Sequence, residues 1–286
     1  MKITIVKACC DLGLITTGSQ NGPLKITRMD NKVDKVSILH TDKVKKETDP
    51  NNKVKNIKPL NKFNKKLYNK IVKDNNFVIT LGGDHSIAIG SILASAKKHK
   101  NMGIIWIDAH SDYHTVDSTI SGNIHGMPLC TVNGQNGNSL NEFFDGEYVH
   151  PNHTVLIGPR DVEKPEFDNM NKSGAHMFST QDVRTKGLKT IMDKTYDLLK
   201  TCDSIHISLD IDSIDPEFAP GVSTPAGNGL TLEEIDQILD YILSKKELLS
   251  SIDIVELNPL KDKNNITAKL CNKLLEKIVT QLKKNN

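Results

Sequence analysis

The sequence lacks the cysteine pattern of a disulfide-rich or thiolate-binding protein. Its 286 residues contain five cysteines, an odd number, and no two of them have the Cys-x-x-Cys spacing of redox and zinc sites. We therefore expect neither a disulfide framework nor a thiolate metal site. The adjacent Cys9 and Cys10 follow an apolar run, and we expect them to be small buried residues.

Long apolar runs and an excess of one charge are also missing. No window approaches the roughly 20 apolar residues of a membrane helix, and Met1–Gly13 has too short an apolar stretch for a signal peptide. The 37 basic side chains nearly balance the 35 acidic ones, which leaves a formal charge of +2. We therefore expect a cytoplasmic protein with neither a nucleic-acid nor a membrane partner.

Two kinds of pattern alternate along the chain. Short β-branched runs, mostly apolar and without strict alternation, are typical of strands buried on both faces of a parallel sheet. Between them lie longer stretches with helical spacing, one of which begins with the capping box Thr231–Glu234. This alternation predicts a doubly wound α/β fold, with a mostly parallel sheet and helices on both faces, in a single domain over residues 1–286.

The predicted elements cover most of the chain. The strands are Ile3–Ala8, Phe77–Leu81, Gly103–Ile107, Thr154–Ile157, Ser204–Leu209 and Ile252–Val255. The helices are Leu60–Lys73, Ile87–Lys98, Leu188–Leu199, Leu232–Leu243 and Ile266–Leu282. Segment Asp30–Asn61 is rich in Lys, Asn and Asp and has weak periodicity, so we expect surface loops and short elements there.

Polar residues cluster where three of the apolar runs end. Ligands of open α/β sheets bind at the carboxyl ends of the strands, so each run is of interest at that end. The runs end in LGGDHS, IDAHSD and LDID, and residues two apart on a strand share one face. The candidate metal ligands are His85, Asp108, His110, Asp112, Asp210 and Asp212.

Imidazoles mixed with carboxylates suit manganese, zinc or iron. Four carboxylate charges favour more than one divalent ion, because an uncompensated cluster would be costly to remove from water. Two metals bridged by carboxylates and a water would generate a hydroxide nucleophile near neutral pH. One such motif alone is more often a helix cap or turn, whereas three on one sheet edge favour the metal site.

Five strings closely resemble the signature blocks of the arginase (ureohydrolase) family in sequence, order and spacing. The resemblance covers Phe77 through Pro259 and is faint in the first 60 residues. The strings are GGDHSIAIG, WIDAHSDYHT, SGNIHGMPL, SLDIDSIDPEFAPGVSTP and DIVELNP. The resemblance implies a hydrolase that releases urea from a guanidino compound by a metal-bridging hydroxide, with two Mn²⁺ ions per subunit, in a homotrimer or homohexamer.

The resemblance also implies roles for individual residues. One ion would be bound by His85, Asp108, Asp112 and Asp210, and the other by Asp108, His110, Asp210 and Asp212. His125 aligns with the family's proton-shuttling histidine, Glu256 with the carboxylate that pairs with the guanidinium, and Thr224 with a pocket residue near that group. The catalytic set would be His125, Asp112 and Glu256.

The positions that would bind the far end of the substrate depart from the family pattern. His114 stands where an asparagine is typical, whereas Ser121 retains the expected serine. The family's acidic positions for the substrate's tail correspond to Asp161 and Glu163. Aspartate is usual in the family at the position of Glu163, and a further acid, Glu166, lies one turn beyond it. The reaction class is therefore predicted more firmly than the identity of the substrate's tail.

L-Arginine, cleaved to L-ornithine and urea, is the substrate that these residues favour. A serine can donate to its α-carboxylate and the acids can accept from its α-ammonium. A related hydrolase of agmatine, guanidinobutyrate or formiminoglutamate is an alternative, since Ala219–Pro225 looks closer to agmatinase. A non-catalytic metal-binding homologue is a further alternative, but such a protein would need neither His125 nor Glu256.

Overall fold

The computed structural model describes residues 1–41 and 53–284. Within them, the strands are β1 (Ile3–Cys9), β2 (Lys35–His40), β3 (Phe77–Gly82), β4 (Met102–Ile107), β5 (Thr154–Ile157), β6 (His176–Phe178), β7 (Ser204–Asp210) and β8 (Leu249–Val255). They form one parallel sheet in the order β2-β1-β3-β8-β7-β4-β5-β6. The α/β fold with a parallel sheet is therefore confirmed.

Helices cover both faces of this sheet. They are α1 (Gly22–Lys25), α2 (Ile57–Val72), α3 (Ala88–Lys98), α4 (Pro128–Val132), α5 (Lys164–Ser173), α6 (Thr180–Lys186), α7 (Leu188–Leu198), α8 (Leu232–Leu243) and α9 (Ile266–Lys283). Ile105 and Ile107 of β4 belong to the core that contains α7, α8 and α9. Ile104 and Trp106 belong to the opposite core, with α2, α3 and α4. Alternate residues of one strand thus fill two hydrophobic cores, as a doubly wound sheet requires.

The predicted strands and helices are all present, with ends that differ by three residues or fewer. Helix α8 has the predicted bounds and begins with the predicted capping box. The Glu234 N–H donates to the Thr231 hydroxyl over 3.1 Å, and the Thr231 N–H donates to the Glu234 carboxylate over 2.8 Å. Both backbone donors, which the helix itself leaves unpaired, are thereby satisfied.

Two strands were not predicted, and both lie at the edges of the sheet. Strand β2 falls in the segment Asp30–Asn61, where loops were expected, and α2 also begins inside that segment. Residues 42–52 of the segment lie outside the described residues. Strand β6 has three half-buried residues. Edge strands bury less surface than central ones, so neither sequence has the continuous apolar run by which the central strands were recognised.

The four central strands β3, β8, β7 and β4 are neighbours, and all run in one direction. Their carboxyl ends therefore meet at one edge, which brings together the polar residues that follow each of them. The five cysteines are free thiols, and Cys9 and Cys10 are buried, as predicted for these two residues. Among the described residues, no helix has the length and apolar character needed to cross a membrane.

Candidate metal centre

His85 faces three carboxylates at the carboxyl edge of the sheet. Its Nδ1 lies 3.0 Å from an oxygen of Asp108, 3.2 Å from one of Asp112 and 3.0 Å from one of Asp210. All four side chains are buried, and Nδ1 has no hydrogen-bond partner. Three carboxylates that converge on an unpartnered imidazole nitrogen in the protein interior match the ligand chemistry of a divalent metal.

A second group of potential ligands lies beside the first. His110 Nδ1 is 3.2 Å from an Asp212 oxygen and 3.6 Å from an Asp108 oxygen. The Thr224 hydroxyl donates to the same Asp212 oxygen over 3.1 Å. Within each group the ligand atoms lie within 4.8 Å of one another, and the groups are His85, Asp108 and Asp210, and Asp108, His110 and Asp212.

The six predicted ligands therefore come together at one place. Asp108 belongs to both groups, as expected of a bridging ligand. Asp210, the second expected bridge, belongs only to the group of His85. Asp112 approaches His85 without belonging to either group. The assignment of Asp112 and Asp210 to particular ions stays a prediction.

The Asp-x-His and Asp-x-Asp spacings have a direct effect on the local backbone. Asp108 accepts a hydrogen bond from the His110 N–H over 2.8 Å, and Asp210 accepts one from the Asp212 N–H over 2.7 Å. Each aspartate thus closes a turn over the residue two positions further on. The chain bends at the strand end, and both side chains of each pair face the same centre.

The His85 ring is held in one orientation by two further side chains. Its Nε2 is 2.8 Å from the Ser208 hydroxyl oxygen. The ring stacks on Trp106 with a centroid separation of 3.9 Å and an angle of 8° between the planes. The Trp106 indole N–H also donates to Asp108 over 2.8 Å. Because Nε2 is engaged by the serine, Nδ1 is the nitrogen that points at the carboxylates.

The electrostatics of this cluster fit a bound cation. Burial raises the pKa of Asp112 and Asp210 well above the usual range, and neighbouring carboxylates raise it further. Burial would lower the pKa of His110, but the charges of Asp212 and Asp108 raise it to about 12. Buried carboxylates this close together favour a positive charge among them. A divalent ion among the same atoms would supply that charge, so the donor set fits the metal chemistry.

Glu256 and His125 lie next to this cluster. Glu256 Oε1 accepts a hydrogen bond from the His85 N–H over 2.8 Å and is 3.5 Å from His125 Nδ1. The other oxygen, Oε2, is buried without a partner. Burial raises the pKa of Glu256 to about 8, with the Asp212 charge adding to the shift. Burial lowers the pKa of His125. The left-handed backbone of Glu256 (φ 68°) is unusual for this residue and turns its side chain towards the centre.

The predicted tail-binding residues divide into three places. His114 Nε2 lies 3.2 Å from a Glu163 oxygen and 3.7 Å from a Glu166 oxygen, so these three form one cluster. The Asp161 side chain is 71% exposed and lies 3.8 Å from His110 Nε2, nearer the metal ligands. Ser121 is exposed, and its hydroxyl oxygen accepts from the Asn123 N–H of its own loop.

Comparison with known proteins concerns the chain as a whole. A sequence model of the Arginase family matches residues 1–280. The chain belongs to the arginase family. It is 33% identical to the arginase of Bacillus subtilis over 293 residues, covering 97% of each chain. The solved structure of Bacillus caldovelox arginase matches with a TM-score of 0.88 at 31% identity, over 99% of both chains. A structure of Entamoeba histolytica arginase in complex with L-ornithine matches with a TM-score of 0.89 at 30% identity, over 97% of this chain and 98% of that one.

Two residues that orient the candidate ligands were not identified from the sequence. Ser208 precedes Asp210 by two positions on β7, so strand alternation alone places both side chains on the same face. Trp106 precedes Asp108 in the same way. A search for polar or aromatic residues two positions before each ligand would have found both of them.

Removal of a central carboxylate should abolish metal binding. In the variants Asp108→Ala and Asp210→Ala, the affinity for divalent metal should fall by more than about 100-fold, since loss of an outer partner of a ligand alone costs 10–100-fold. Metal content after dialysis, measured by mass spectrometry, tests this. Asp168→Ala is the control, because Asp168 is exposed and pairs with Lys164 on α5. An Asp108→Ala protein with the metal content of the wild type would contradict the assignment.

Proposed function

We propose that this protein hydrolyses L-arginine to L-ornithine and urea. The similarity to arginases over nearly the whole chain supports the reaction. L-Ornithine in the Entamoeba histolytica arginase structure, which matches over 97% of this chain, supports the product. Among the contacts of the site, the observation that carries the proposal is the buried, unpartnered Oε2 of Glu256 beside the metal ligands.

The two groups of ligands support two metal ions, which we propose to be Mn²⁺. Oxygen donors with a single imidazole for each ion suit manganese. Bound metal would supply Lewis acidity and make water nucleophilic near neutral pH. The protein residues hold the ligand atoms in place, and the sharing of Asp108 keeps the two positions adjacent.

Glu256 is proposed to bind the guanidinium group. A guanidinium is planar, cationic and rich in N–H donors, so a carboxylate is its natural acceptor. The partnerless Oε2 has the capacity to accept such a donor. Oε1 is fixed by the His85 N–H, which sets the orientation of the carboxylate relative to the metal ligands. The substrate's positive charge would also offset the charge that burial makes unfavourable on Glu256.

His125 is proposed to carry the proton that the leaving group needs. Water adds to the guanidino carbon, and the bond from that carbon to the alkyl nitrogen then breaks. The nitrogen leaves as the side-chain amine of ornithine and must gain a proton, while the carbon leaves as urea. The His125 side chain is 16% exposed and lies beside Glu256, so it can exchange protons with solvent while it faces the guanidinium site.

The acidic cluster near His114 is proposed to bind the α-ammonium group of arginine. Glu166 is buried and its oxygens accept from the backbone N–H groups of Tyr113 and Glu163, which fixes this carboxylate. Glu163 is half exposed, so a substrate amine could approach its carboxylate from solvent. Asp161 offers another acceptor, and Ser121 a hydroxyl donor for the α-carboxylate.

Three broader proposals follow from composition and family. All five cysteines are free thiols, which supports a reducing compartment. We propose that this compartment is the cytoplasm. Strands from β1 to β8 share one sheet, which supports a single domain. Membership of the family supports a homo-oligomer, a trimer or hexamer.

Replacement of His125 should impair proton transfer without affecting metal binding. We expect His125→Asn to retain wild-type metal content and to lower kcat for urea release by roughly 100-fold, the usual scale for an acid–base group. His150→Asn, at an exposed position, is the matched control and should leave kcat unchanged. Metal loss in the His125 variant would mean that His125 has been assigned the wrong role.

The substrate's tail should decide specificity. With Mn²⁺ present, kcat/KM for arginine should exceed that for agmatine and guanidinobutyrate by at least about tenfold. Each of these compounds lacks one charged group of arginine, and a hydrogen bond to a charged group contributes roughly 1.5–3 kcal/mol. A urea-release assay across these substrates measures this, and formiminoglutamate is added with detection of formamide. A higher value for any of these compounds would replace arginine as the substrate. Absence of all activity in the Mn²⁺-loaded protein would favour a non-catalytic homologue.

A further inference from the structure

Arg160 lies in the loop after β5, three residues beyond its last residue Ile157, and its guanidinium group donates to the backbone of three segments. Nε donates to the Gly227 carbonyl over 3.0 Å. Nη1 donates to the carbonyls of Gly158 and Ser213 over 3.3 and 3.0 Å. Nη2 donates to those of Asp212 and Ala226 over 2.8 and 2.9 Å. An arginine has five N–H donors, and here every one of them has a backbone carbonyl as its acceptor.

Four of these five acceptors lie in the chain segment that contains Asp212 and Thr224, and the fifth, Gly158, lies in the loop of Arg160 itself. Asp212 is itself a ligand, and Ala226 and Gly227 follow Thr224, whose hydroxyl donates to Asp212. The Arg160 main chain also contacts the loop after β4, because its N–H donates to the Ala109 carbonyl over 2.9 Å. Ala109 lies between the ligands Asp108 and His110. One residue therefore joins the loops after β4, β5 and β7.

Most of the contacts that hold the first ligand group do not involve Arg160. Ser208, Trp106 and Glu256 fix His85 and Asp108 through the contacts described above. The Asp210 side chain accepts from the Asp212 N–H, so it is the one ligand of this group held by a residue whose main chain Arg160 contacts. The guanidinium hydrogen bonds of Arg160 reach the backbone of Asp212 and not the side chains of the His85 group. Loss of Arg160 should thus act mainly on one of the two metal positions.

We propose that Arg160 is a positioning residue for the metal position formed by Asp108, His110 and Asp212. Its five hydrogen bonds fix the Asp212 main chain and the loop of Thr224, so that the Asp212 carboxylate faces His110. The proposal rests on the metal centre proposed above. It concerns the geometry of the ligands and does not place Arg160 in contact with substrate.

The test compares metal binding by the wild-type protein with that by Arg160→Lys and Arg160→Met. Lysine keeps the charge but has three donors on one nitrogen, so it cannot reproduce contacts to three segments. We expect equilibrium dialysis against Mn²⁺ to show two ions bound to the wild type, and one of the two weakened by at least about tenfold in both variants. Anomalous diffraction at limiting Mn²⁺ should locate the loss at the position of His110 and Asp212.

Arg184→Met is the matched control. Arg184 donates to the Gly229 carbonyl, at the far end of the same loop, over 2.6 Å. If loss of any hydrogen bond to this loop were enough to lower the affinity for Mn²⁺, Arg184→Met would lose affinity as well. That result would overturn the proposal. The proposal would also be overturned if each position bound Mn²⁺ as tightly in Arg160→Lys as in the wild type. Weakening of both positions by the same factor would overturn it as well.

Turnover gives a second measurement that a general loss of stability would not reproduce. Urea release by Arg160→Lys should be low at limiting Mn²⁺ and recover in excess Mn²⁺, with KM for the substrate close to that of the wild type. Failure to recover in a folded, fully metal-loaded variant would contradict a positioning role. A wild-type protein that binds no Mn²⁺ would contradict the metal centre itself, which separates failure of the proposed function from failure of this inference.

Discussion

Four carboxylates are buried within a few ångströms of one another at the carboxyl edge of the sheet: Asp108, Asp112, Asp210 and Asp212 are 1–4% exposed. Charges removed from water in this way cost several kcal/mol each unless they are compensated. Backbone N–H groups and the imidazoles of His85 and His110 offset part of that cost, whereas burial and the neighbouring carboxylates still raise the pKa of Asp112 and Asp210. Divalent cations would offset the remaining cost. Metal binding and charge compensation would then depend on the same atoms.

The fold makes such a cluster possible because its scaffold is rigid where the ligands are attached. Strands β3, β8, β7 and β4 are buried almost throughout, and alternate side chains of β4 pack into two cores. Tight packing limits the movement of the strand ends, so ligand atoms separated by more than 100 residues in sequence remain close. The loops after these strands then need few further contacts to keep their conformation. The five side-chain hydrogen bonds of Arg160 are several of those contacts.

The central strands and the candidate metal ligands could be predicted from the sequence because their signals lie in short stretches of the chain. Continuous apolar runs mark central strands, and a polar residue at the end of such a run marks the edge where ligands bind. The signals fail where burial is partial, as in β2 and β6. They also fail where function depends on a tertiary contact: nothing in the sequence places His114 against Glu163, or the guanidinium of Arg160 on five carbonyls, because those partners meet only through the order of the strands.

The most direct test of the account is a crystal structure of the protein grown with Mn²⁺, with anomalous diffraction recorded at the manganese edge. Two anomalous peaks roughly 3–4 Å apart are expected. One peak should be bounded by His85, Asp108 and Asp210, and the other by Asp108, His110 and Asp212. Manganese bound elsewhere, or a centre without anomalous signal at saturating Mn²⁺, would contradict the claim that the buried carboxylates are compensated by metal.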